Sequence, residues 1–162
     1  MTYRVLFVDR DGKSLAPAAA EWLNAYCAER GIDAKIIAAG VAVWRGKPGQ
    51  DAPTPVTRQL CETAGVVAYT EPGMEERLRI ATGGLATRLL LVGLPDSFNP
   101  DFQDGPALEN VSSAEMRSLF STYWNHRYGK RALAKVLEAY VTELLPERVR
   151  SPVKRSEGQL TP

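Results

Sequence analysis

Tyr3-Arg4-Val5-Leu6-Phe7-Val8-Asp9-Arg10-Asp11-Gly12-Lys13-Ser14-Leu15-Ala16-Pro17-Ala18-Ala19-Ala20-Glu21 is the stretch around which the rest of the chain is organised. Val5 to Val8 is an unbroken apolar run, the pattern of a strand buried on both faces of a parallel sheet. It stops at a charged loop containing Gly12. The loop runs into a helix start, because Ser14 can cap backbone N–H groups and Pro17 suits a first helical turn, where its missing donor is not needed. Residues 9 to 16 therefore form a strand-to-helix turn. In α/β proteins such a turn lies at the carboxyl edge of the sheet, where backbone amides and the helix dipole favour anions. By position the loop is a phosphate cradle, yet its first residue, Asp9, is an acid.

Working outward, the chain has 162 residues and a net charge of +1 with acids and bases interspersed. That length supports a single domain with a real core, expected over 1–146, followed by a polar, mobile tail over 147–162. The charge balance gives no case for nucleic acid or a membrane surface as partner. No apolar run reaches the roughly 20 residues that span a bilayer, and the N-terminus lacks a basic-then-apolar leader, so the cytoplasm is the expected location. Cys27 and Cys61 lie in amphipathic helical patterns with no short spacing between them. They read as buried reduced thiols.

The first ninety residues alternate strand and helix, which points to a parallel sheet with helices on its faces. A helix is expected from Pro17 to Arg30, ended by Gly31, and a second strand from Ala34 to Ala39. Gly40 to Pro53 reads as a long loop, after which Thr54-Pro55 can open a second helix that Gly65 closes. A short strand belongs in 66–73, a short helix at Met74 to Ala81 with Glu75 facing Arg79, and a strand at Arg88 to Val92. A polar loop fills Pro95 to Asn110. Ser112 and Glu115 form the pattern of a capping box, so a helix should run from Ser112 to about Trp124, and a longer one from about Tyr128 to Leu145 until Pro146 stops it.

Two motifs compete for the first loop. Gly12-Lys13-Ser14 ends like a nucleotide-binding P-loop, but Phe7 stands where the first glycine is required. Asp9-Arg10-Asp11-Gly12 after an apolar strand resembles the first motif of haloacid dehalogenase-type phosphohydrolases. That likeness implies Asp9 as nucleophile and Mg²⁺ ligand and Asp11 as acid/base. Against it, Lys13 replaces the usual Thr and no later strand ends in an acidic pair; Asp96, Asp101 and Asp104 are the only acids placed to join Asp9 and Asp11 at a metal.

A longer match runs through Val5 to Val8, the loop, Pro17, Ala19, Ala38-Ala39-Gly40, Trp44, Gly46-Lys47-Pro48, Asp51, Leu60, Gly65 and Leu89 to Val92. In order and spacing this set resembles the low-molecular-weight protein tyrosine phosphatase family. The resemblance implies an α/β, three-layer fold, a four-stranded parallel sheet flanked by helices, with the ligand loop at Asp9, Arg10, Asp11, Gly12, Lys13, Ser14, Leu15 and Ala16. It also implies that Trp44 walls the cleft. Laid on that family, however, its nucleophilic Cys falls on Asp9, its loop Asn on Gly12, its phosphate-clamping Arg on Leu15 and its assisting Ser on Ala16. Its Asp-Pro general acid is missing, since the chain contains no Asp-Pro. His126, the sole histidine, has no acid or Cys at a suggestive spacing and reads as structural.

These departures bear on energy. An anion at about 4 Å from Asp9 would be repelled by roughly 4 kcal/mol at an effective dielectric of about 20. The helix dipole returns only about 0.3–1 kcal/mol. The reading from sequence is thus a degenerate, pseudophosphatase-like member of the family, with no catalytic residue and no cofactor assigned. Its expected partners are a protein, phosphorylated or not, or an active relative, with a homo-oligomer open. The alternative is a Mg²⁺-dependent phosphohydrolase or phosphotransferase using Asp9 and Asp11.

Overall fold

Strand β1 (Tyr3–Asp9) is the central strand, with side chains alternating between two cores. Val5 and Phe7 enter one cluster, Leu6 and Val8 the other, and all four are buried, as a strand covered on both faces requires. The computed structural model describes residues 2–13, 15–41, 54–81, 83, 88–94, 98–122 and 128–151. Around β1 lie α1 (Leu15–Arg30), β2 (Ala34–Gly40), α2 (Arg58–Thr63), β3 (Val66–Tyr69), α3 (Met74–Ala81) and β4 (Leu89–Leu91). A 3-10 turn at Pro106–Asn110 precedes α4 (Ser113–Thr122), α5 (Lys130–Leu144) and α6 (Glu147–Arg150).

The sheet is four-stranded and parallel in the order β2-β1-β3-β4, the fold class expected from the sequence. One face is covered by α1 and α5, through Leu15, Ala19, Leu23, Leu133, Val136 and Leu137. The other is covered by α2 and α3, through Cys61, Met74 and Leu78. Burying each large apolar side chain contributes about 1.5–3 kcal/mol, so this three-layer packing holds the carboxyl edge of β1 as a rigid platform.

Of the boundaries that differ from the sequence reading, three do so for a tertiary reason. Helix α2 begins at Arg58, not at Thr54-Pro55, because the chain there runs along β2: Gly40 N–H donates to the Thr54 carbonyl at 3.0 Å and Val56 N–H to the Gly40 carbonyl at 3.1 Å. Thr57 is the cap, its hydroxyl accepting from Leu60 N–H. Helix α5 begins at Lys130 because Tyr128 pairs with Phe98 and its carbonyl accepts from Asn99 N–H at 2.8 Å. The segment expected to start a mobile tail at 147 instead forms the turn α6, where Val149 packs on the core and Arg150 Nε donates to the Leu145 carbonyl at 2.7 Å. Residues 152–162 lie outside the described residues. The capping serine of α4 is as expected, Ser112 Oγ accepting from Glu115 N–H at 3.1 Å, and Glu75 pairs with Arg79 at 2.6 Å. Among the described residues no helix is long and apolar enough to cross a membrane.

Candidate functional site

Asp9 closes β1 opposite Gly40 of β2, and its carbonyl accepts from Val41 N–H at 3.1 Å. Its side chain does not project toward solvent. It turns beneath the loop, 2 % exposed, with Oδ1 accepting from Gly12 N–H and Oδ2 accepting from Ala16 N–H at 2.9 Å. Ala16 is the second residue of α1, so its N–H is one of the donors that a helix start leaves without an intrahelical partner. The carboxylate therefore satisfies two of the donors that a strand-to-helix turn would otherwise offer to an external anion. Ser14, the cap expected from sequence, lies outside the described residues; the cap seen at Ala16 is Asp9, seven positions upstream.

Two glycines make this geometry possible. Gly12 sits at φ 72°, the left-handed region that turns its N–H back onto Asp9. Gly40 lets the loop lie directly on β2: a Cβ there would come within 2.5 Å of the Asp11 carbonyl carbon and 2.6 Å of Gly12 N. The remaining loop residues point elsewhere. Leu15 and Ala16 are buried in the α1 core, so the position aligned with a phosphate-clamping Arg holds a side chain aimed into the protein. Asp11 is exposed and its Oδ1 accepts from Lys13 N–H at 3.0 Å, a local turn bond, and Lys13 is exposed. Arg10 leaves the loop sideways to Glu71, at 3.1 Å.

Of the other site residues singled out from sequence, only Asp101 and Asp104 fall within the described residues. Trp44, Asp96 and His126 lie outside the described residues. Asp101 is exposed. Asp104 caps α5 instead, Oδ1 accepting from Gly129 N–H at 3.1 Å and Oδ2 from Ala132 N–H at 3.3 Å. Among the described residues no group of three or more His, Cys, Asp or Glu is arranged to hold a metal ion. Cys27 and Cys61 are buried thiols, not joined in a disulfide, on opposite sides of the sheet, and burial pushes both upward from 9.0, away from the thiolate that nucleophilic chemistry needs. Sequence reasoning missed Glu71 and Gly40 as supports of the loop. Gly40 had a signal, a glycine ending the strand beside the loop; Glu71 had none.

No protein-family model matches the chain, and no curated protein matches it in sequence. Solved structures do match it in shape. A low-molecular-weight protein tyrosine phosphatase from T. tengcongensis superposes with a TM-score of 0.58 at 17% identity, over 88% of this chain and 100% of that one. The arginine phosphatase YwlE, with a phosphorylated active-site serine, gives 0.59 at 15% identity, over 91% and 99%. Vibrio vulnificus Wzb in complex with benzylphosphonate gives 0.56 at 14%, over 89% and 100%. At such identities the likeness establishes the fold.

Proposed function

We propose that this chain, which has the fold of the low-molecular-weight protein tyrosine phosphatases, is a member of that family without its chemistry, a pseudophosphatase that acts by binding. The single observation that carries this reading is the Asp9 carboxylate, which takes the Gly12 and Ala16 N–H groups for itself. A phosphate entering the cradle would have to displace a covalently tethered anion and then sit beside it. No guanidinium at position 15 offsets that repulsion, because Leu15 is part of the core. A thiolate would leave readily from a phosphorylated intermediate, whereas the Asp9 carboxylate is 2 % exposed and both its oxygens are already held by backbone N–H groups, which places it poorly for attack.

The same geometry disfavours the Mg²⁺-dependent reading. Asp9 is 2 % exposed, and the Asp11 carboxylate is turned to its own loop. In this reading the protein works as a binding protein without a metal, with the cytoplasm as its expected location. Its partner is another protein, phosphorylated or an active phosphatase of the same fold, or a second copy of this chain, meeting the carboxyl edge of the sheet.

The test is hydrolysis of para-nitrophenyl phosphate by the purified protein, with EDTA and with Mg²⁺, beside Asp9→Ala and Asp9→Cys. The expected result is no turnover by the wild type under either condition. Mg²⁺-dependent turnover that disappears in Asp9→Ala would overturn the proposal in favour of an aspartate nucleophile. Pull-down by the wild-type cleft of an active phosphatase or a phosphoprotein, lost on charge reversal at Lys13, is the positive arm.

A further inference from the structure

The carboxyl edge of the sheet carries a second concavity next to the filled cradle. Its volume is about 400 Å³, and Arg10, Val41, Glu71, Gly73, Met74 and Arg77 line it. That volume falls in the range of small-ligand sites, about 300–1,000 Å³. Its location also follows from topology. From central β1 the chain crosses first to β2 on one side and then to β3 on the other, so the crevice beyond the carboxyl ends of these strands is the switch point where open α/β sheets bind ligands. Arg10 directly follows β1, Val41 directly follows β2, and Glu71 lies two residues beyond β3.

The charges in this pocket are arranged unequally. Glu71 holds Arg10, its two carboxylate oxygens at 3.1 and 3.4 Å from one guanidinium nitrogen. Glu75, the second residue of α3, is engaged by Arg79 at 2.6 Å. Arg77 has no ion pair among the described residues and is exposed at the mouth. Among the described residues the lining carries two guanidinium groups and one carboxylate, while Val41 and Met74 supply apolar wall. Arg is the side chain whose planar fork matches carboxylate and phosphate oxygens, and a fork already oriented by a carboxylate loses less freedom on binding.

We propose that this pocket binds a small organic oxyanion, a carboxylate or phosphate monoester on an apolar stem, with Arg77 as the clamp and Arg10 as the second contact oriented by Glu71. The stem lies on Val41 and Met74. This site is separate from the cradle and does not require the cradle to be inactive.

The test is a ¹⁵N–¹H NMR titration of the full chain with phenyl phosphate, benzoate and phenol, on the wild type and on Arg77→Ala. Arg77 is on an exposed face of α3, so its removal leaves the core intact. Saturable shifts are expected at Val41, Gly73, Met74 and Arg77, with an apparent affinity weakened about tenfold (about 1.4 kcal/mol) in Arg77→Ala. Response to phenyl phosphate alone assigns the monoester; response to benzoate as well assigns oxyanions in general. Three outcomes overturn the proposal: shifts centred on Gly12 and Ala16, binding unchanged in Arg77→Ala, or phenol binding as well as the anions. Absence of saturable shifts up to about 10 mM also overturns it.

Discussion

Replacing Asp9 by alanine should lower stability and open the cradle at once, and the two effects can be read in one assay. The native carboxylate accepts two buried backbone hydrogen bonds, one of them at 2.9 Å. Hydrogen bonds to a charged group contribute about 1.5–3 kcal/mol each. Water entering the vacated cradle recovers part of this, so a net loss of about 2–4 kcal/mol is expected. For a chain of this size that lowers Tm by roughly 4–16 °C. The freed Gly12 and Ala16 N–H groups would then donate to an external anion. Sulfate at about 100 times its Kd returns about 2.7 kcal/mol, most of the loss. The assay is differential scanning fluorimetry across a sulfate series, in an Arg77→Ala background that weakens the neighbouring pocket about tenfold. The unmodified cradle should show no sulfate-dependent stabilisation, whereas the Asp9→Ala protein should recover several degrees. Equal sulfate response with and without Asp9, or an Asp9→Ala variant as stable as its parent, would refute the claim that this carboxylate fills the anion site.

Gly40→Ala should cost about 1–3 kcal/mol through overpacking, because its Cβ would fall 2.5 Å from the backbone of Asp11; a urea midpoint equal to the wild type would contradict the close approach. Phe7→Ala, at a fully buried position of the central strand, should lose about 3–5 kcal/mol, seen as a lower urea midpoint with little change in the slope. Stability should also fall at alkaline pH. Burial raises the thiols of Cys27 and Cys61 from 9.0 and is the leading cause raising the phenols of Tyr3, Tyr69 and Tyr128 from 10.0. Above those ordinary values the unfolded chain releases protons that the folded chain retains, so the contribution is full below about pH 9 and declines as pH rises past it. A urea midpoint that is flat from pH 7 to about 8.5 and then drops is the expected profile, and a midpoint that climbs above pH 9 contradicts it.

How far the sequence reaches is clearest at β1 and its loop. The apolar run Val5 to Val8 dictated a strand buried on both faces, and the alternation of strand and helix after it dictated the parallel sheet, because these patterns are local and repeat with the period of the structure they form. That Asp9 and Leu15 stand where the resembled family has its Cys and Arg, and that the chain contains no Asp-Pro, was equally legible, since it is a matter of residue identity alone. What the sequence did not determine is where polar groups find their partners. Thr54-Pro55 carries a helix-start signal, yet pairing with Gly40 draws it along β2 and moves the cap to Thr57. Asp104 reads as a loop acid and caps a helix that begins 26 residues later at Lys130. Asp9 reads as a charge facing an incoming ligand, and only the three-dimensional turn reveals that it faces inward to Gly12 and Ala16. Arg10 and Arg77, 67 positions apart, share a pocket solely because β1 and β3 are neighbours in the sheet. The apolar pattern specifies which faces are buried; hydrogen bonds and charges are specified by distances in space that the order of residues does not encode.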